Sequence, residues 1–197
     1  MSVDEATATG SAPYGTGPAA IHEVTPREGS SGDFSTVAPQ VVLHGAGPYW
    51  ERNTAGAPAR IPRLAVLVCR DIDPRTVPGR RAAGTAPRRM LEMGWHTFTE
   101  VIAPPHRLPS LVEPAAAAGL QDRPGDPYPS AAGLVRVRAH RMPRTPGGYV
   151  AHLVSLEDCA PYLTSPHGPR ERTVRLESLH SWSFHHVATP TETRTHP

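Results

Sequence analysis

Residues that build a core are scarce in this chain, and that scarcity limits its architecture more than any motif does. Leu, Val, Ile and Phe together make 36 of 197 residues, under the roughly one-fifth below which a strongly charged chain stays unfolded. The net charge is only +2, so disorder of the whole chain does not follow. The shortage is uneven. Residues 1–36 hold only Val3, Ile21, Val24 and Phe34, and the rest of the set lies between Val37 and Val187. That supply predicts a single modest core.

The division of the chain follows from this distribution. Residues 1–36 alternate Ser, Thr, Ala, Gly and Pro and carry too little apolar surface to offset the entropy of ordering. They are expected to form a flexible arm, with Tyr14 and Phe34 as aromatic anchors should it order on a partner. Residues 37–188 form the expected domain, and 189–197 a polar tail. The first 36 residues contain no apolar run of the kind a secretory leader carries. No stretch approaches the roughly 18 apolar residues of a membrane span. Cys69 and Cys159 are too few for a disulfide framework. A cytoplasmic protein with reduced thiols and no membrane contact is therefore expected.

Within the domain, strand signals outnumber helix signals. Gln40–His44 is a short apolar run closed by Gly45 and Pro48. Leu64–Asp71 is continuous and rich in β-branched residues, as for a strand covered on both faces. Pro87–Met93 has the early Pro and following Gly94 of two helical turns, and Trp95–Ile102 alternates like a strand. Ser110 and Glu113 have capping-box spacing before an alanine run, which predicts a helix over Leu111–Ala118. Leu134–His140 and Tyr149–Leu156 flank a segment with Pro146-Gly147 at its tip and predict a β-hairpin. Centring the turn there pairs Val137 with Leu156, Ala139 with Val154 and Arg136 with Glu157. Over Thr173–Val187, Val174, Leu176, Trp182 and Phe184 share one parity, while Arg175, Ser183 and His185 share the other. The expected class is α+β: a mainly antiparallel sheet with one or two short helices, long Pro/Gly-containing loops and flexible termini.

Few patterns carry chemistry. Eleven histidines are the compositional oddity, yet no HExxH, His-x-His or paired-Cys spacing occurs. His185 and His186 are adjacent on an expected strand and point to opposite faces. No metal and no cofactor is expected; any ion would have to be sought among His44, His96, His180 and His186. Glu157 and Asp158 beside Cys159 would blunt that thiol, while Cys69 reads as a buried space-filler. Ser178 and Ser181 flank His180 without a nucleophile elbow. All 20 cationic residues are Arg, which with Pro48 after Gly45 and Gly47 excludes a P-loop. Arg136 and Arg138 share a face of the expected hairpin, and Tyr49-Trp50 lies between turns, where its rings either close the core or anchor a partner.

The function that best fits a small core with long arms and loops is a non-catalytic structural or adaptor subunit of a larger protein assembly, a build that suits a phage-like or tail-like particle. Its partners would be other protein subunits, contacted through Tyr14, Phe34, Tyr49, Trp50, Arg136 and Arg138. Two alternatives stand beside it. One is a small His-dependent hydrolase or metalloenzyme. The other is a nucleic-acid-binding module using an arginine-rich hairpin, which the near-neutral charge disfavours.

Overall fold

A computed structural model describes residues 21–44, 61–72, 74–79, 89–115, 134–157, 159, 162–163 and 173–188. These form two mainly antiparallel sheets and one α-helix. The first sheet orders its strands as β1 (Ile21–Thr25), β3 (Gln40–His44), β8 (Leu134–Arg138) and β7 (Val112–Ala115). The second runs β4 (Leu64–Arg70), β9 (Gly147–Ser155), β10 (Thr173–His186), β6 (Arg89–Gly94) and β5 (Arg75–Pro78), and β2 (Ser31–Gly32) lies parallel to the end of β10. Helix α1 (Trp95–Val101) follows β6 directly. No helix among the described residues is long and apolar enough to cross a membrane.

The second sheet is buried on both faces, which explains how so few aliphatic residues suffice. Leu64, Val66 and Val68 join Val41, Leu43, Val135 and Val137 of the first sheet in a cluster between the sheets. The intervening Ala65, Leu67 and Cys69 join a second cluster with Phe98, Val101 and Ile102 of the helix layer. One strand thus serves two clusters, and its unbroken apolar run is the signature of that double duty. The expected single core is corrected to two, one on each face of a shared sheet.

β10 feeds both clusters by a different device. Val174 and Leu176 belong to the helix-side cluster, while Trp182 and Phe184 belong to the cluster between the sheets. All four share one parity, so an unbroken strand would place them on one face. The register shifts at a bulge: Ser178 lies opposite Val154 and His180 opposite Leu153, leaving Leu179 as the extra residue. That inserted residue turns every later side chain to the opposite face.

Several expectations are corrected here. β8 and β9 do not form a hairpin, since β8 pairs with β3 and β7 while β9 pairs with β4 and β10. Both strands are rich in buried residues, and face-to-face packing covers surface that a two-stranded ribbon would leave wet. The segment between them crosses from sheet to sheet. The Ala139 amide donates to the Pro39 carbonyl, the Tyr149 hydroxyl donates to the Thr145 carbonyl, and Gly147 takes a φ of 144° that disfavours any side chain. The expected Arg136–Glu157 pair is replaced by Arg136 and Arg138 on Glu113, at 3.2 and 3.1 Å, and Arg63 on Glu157 at 2.7 Å.

The helix and strand assignments on either side of Gly94 are exchanged. Leu91 and Met93 are buried and Glu92 lies between them, a period of two that suits β6. Phe98, Val101 and Ile102 are buried at the i, i+3, i+4 spacing of a helical face. The helix expected over Leu111–Ala118 gives way to a 3₁₀ turn at Leu108–Leu111 and then β7. β7 is an edge strand, where Pro114 is tolerated, and residues 116–118 lie outside the described part. Arg75–Pro78 forms the edge strand β5.

The expected arm does not extend to residue 36. β1 pairs with β3, and the segment that follows is laid along β10: the Gly29 amide donates to the Ser183 carbonyl at 2.7 Å and the His185 amide to the Ser30 carbonyl at 2.8 Å. Phe34 packs edge-to-face on Phe184, centroids 5.5 Å apart. Residues 1–20 and 189–197 lie outside the described part. Phe34→Ala is therefore expected to cost about 1–3 kcal/mol, as for a partly buried side chain. Urea denaturation measures it, and an unchanged midpoint would mean that residues 21–36 add nothing to the fold.

Candidate functional site

A groove of about 380 Å³ opens on the helix side of the second sheet. Gly94 ends β6 without a side-chain cap and turns the chain into α1, so Trp95 and Phe98 project one helical turn apart. Pro104 and Pro105 stop the helix and form a rim with no backbone donor. The far wall comes from Tyr162 and Leu163, whose amides both bond the Cys159 carbonyl in a single tight turn. Phe98 is the hub: its ring lies 5.6 Å from Trp95 and 6.2 Å from Tyr162. Phe98 and Cys159 are each 1% exposed, so this side of the groove is anchored in the core.

The polar wall is His140-Arg141, brought in by the crossover between sheets. Burial pushes the His140 imidazole below its usual range, and the Arg107 and Arg141 guanidiniums push it the same way. His140 and Arg141 thus line one edge of an aromatic trough, with Arg107 near enough to act on the same imidazole. Glu100 also lines the groove, and His96 sits 3.6 Å from its carboxylate, one turn back along α1. Of the groove-side residues, the sequence points to His96 as a candidate ion ligand and to Cys159 as a blunted thiol, while its patterning makes Trp95 and Phe98 strand residues and His140 one side of a hairpin.

None of the described residues expected to meet partners lines the groove. Tyr14, Tyr49 and Trp50 lie outside the described residues. Phe34 is occupied within the chain by Phe184, and Arg136 and Arg138 both bond Glu113 on the first sheet. The four histidines considered for an ion do not converge. His96 is exposed on α1, His180 stacks on Trp182 at 5.9 Å, and buried His186 accepts the Phe34 amide at 3.1 Å. His44 meets a residue not considered, His22, whose Nδ1 lies 3.1 Å from its Nε2 because a bulge in β1 re-aims the side chain. No group of three or more His, Cys, Asp or Glu side chains among the described residues is placed to hold a metal.

One further pair carries chemistry. His152 is 4% exposed on β9, and its Nδ1 lies 3.1 Å from the Ser178 hydroxyl across β10. Burial pushes the imidazole down to about 4, so it is neutral at physiological pH. Ser178 was noted in the sequence, but its partner was not, because the two are joined through the bulged register of β9 and β10. Comparison of the chain with family models, with curated proteins and with solved structures returns no match.

Proposed function

We propose that this chain is a non-catalytic interaction subunit of a larger protein assembly, and that it docks a segment of a partner protein in the groove beside α1. One observation carries the reading: Trp95, Phe98 and Tyr162 are gathered along an open trough with basic side chains at its edge. Large rings of this kind supply much of the energy of protein interfaces at little conformational cost. The trough rests on a sheet buried on both faces, which presents it on a rigid frame. The groove walls come from α1, the crossover at His140 and the turn at Tyr162, so the His152–Ser178 pair on β9 and β10 lies apart from them.

The test is a photo-cross-linking residue placed in the full chain at exposed Thr99 on the groove wall, with a control at exposed Glu23 on β1. In the native host, Thr99 is expected to give one discrete protein adduct that Trp95→Ala removes. Adducts at both positions alike, or at neither, would reject the groove as the docking site.

A second reading, a small hydrolase, is favoured by a single observation: a neutral imidazole within hydrogen-bond reach of a serine hydroxyl. A fluorophosphonate probe decides it. Labelling of Ser178 that His152→Gln abolishes would favour the enzyme over the docking subunit.

A further inference from the structure

We infer that the groove selects an acidic, apolar segment: a bulky side chain seated against Trp95 and Tyr162, with a neighbouring Asp or Glu carboxylate of the partner on Arg141. This rests on the docking reading and adds the chemistry of the occupant. The apolar half follows from the lining, where two rings flank the buried edge of Phe98. The acidic half follows from charge. Arg141 lines the groove, and Arg107 is close enough to act on the same imidazole, His140. Among the described residues neither guanidinium is in an ion pair, whereas Arg63, Arg136, Arg138 and Arg175 each are. The one carboxylate among the described lining residues, Glu100, has His96 beside it on its own helix. An exposed guanidinium in the lining, Arg141, with exposed Arg107 near the same imidazole, complements a carboxylate, and such a contact is made in water and screened by salt.

Because Pro104 and Pro105 offer no amide donor at the rim, the side chains must do the recognition there. Removing one guanidinium should then cost affinity without disturbing the fold, since Arg141 is exposed. The loss of one solvated charge contact corresponds to about 5- to 10-fold in affinity.

The experiment pans a random heptapeptide library, displayed on phage, against the full chain and then titrates the enriched peptides as fluorescein conjugates. Enriched peptides are expected to carry Asp or Glu next to Trp, Phe or Leu. They should bind about 5- to 10-fold more weakly to Arg141→Gln and more weakly at high salt, and lose binding with Trp95→Ala. Thr99→Trp, which fills the trough from an exposed position, should block them too and covers the case in which Trp95→Ala fails to fold. Enrichment of apolar peptides without acidic residues, or affinity unchanged in Arg141→Gln, overturns the acidic occupant. The docking reading then still stands if Thr99→Trp blocks binding. No enrichment overturns the acidic occupant as well; if the Thr99 cross-link is also absent, the docking reading falls with it.

Discussion

Trp182→Ala is expected to lower the free energy of unfolding by about 3–5 kcal/mol, the range for truncating a buried aromatic residue. Trp182 is 1% exposed and stands between the sheets opposite Ala151, with His180 stacked on it. Its removal leaves the cavity where the two sheets meet, and the surrounding strands are tied by ladders that limit collapse into it. One feature works the other way. The indole N–H is buried and finds no acceptor among the described residues, so truncation also relieves an unsatisfied donor. Trp182→Phe separates the two effects, since it keeps most of the ring and drops the donor. It is expected to cost less than about 1.5 kcal/mol. His185→Ala, on the exposed parity of the same strand, should cost under about 0.5 kcal/mol. Urea denaturation of the three variants checks the order, and equal losses for Trp182→Ala and His185→Ala would mean the strand phase beyond the bulge is wrong.

The phase of β10 was legible because burial there follows period two on each side of the bulge. Alternate apolar residues mark a strand whichever face they point to. The bulge was invisible for the same reason: one extra residue swaps the face yet leaves the parity of the letters intact. β4 was equally plain, since six consecutive buried residues have few other homes. The failures were of two physical kinds. Around Gly94 the apolar residues satisfy two periods at once, and tertiary burial decided between them. For β8 and β9 the chain bends at Thr145-Pro146 before Gly147 opens β9, but local sequence cannot tell a hairpin from a crossover between stacked sheets. Residues 21–36 are ordered despite few large side chains: backbone bonds to Ser183 and His185 and one ring on Phe184 hold residues 27–34. The groove was hidden by distance. Trp95, His140 and Tyr162 are far apart in the chain and meet only through the second sheet and the crossover between sheets.

Among the described residues, acid is expected to destabilise this protein through His152 more than through any other histidine. Buried His152 titrates near 4 in the folded chain, against 6.5 when exposed, because burial disfavours its charged form. Between these values the unfolded chain binds a proton that the folded chain refuses, so stability rises with pH across that window. The contribution is fully present above about pH 6.5, falls as the pH drops, and is lost by about pH 4, a total of about 3 kcal/mol. His140 and His180 are also lowered chiefly by burial and act in the same direction, but both are partly exposed, so their share is smaller. Carboxylates titrate at the lower end as well. The readout is therefore a difference, comparing urea unfolding of the wild-type chain with His152→Gln at several pH values. Gln cannot titrate there and can still meet the Ser178 hydroxyl. Near pH 7.5 the variant is expected to be the less stable, and the gap should narrow or reverse by about 3 kcal/mol on going to pH 4. Parallel curves would mean that His152 takes up its proton in the folded state as readily as in the unfolded one.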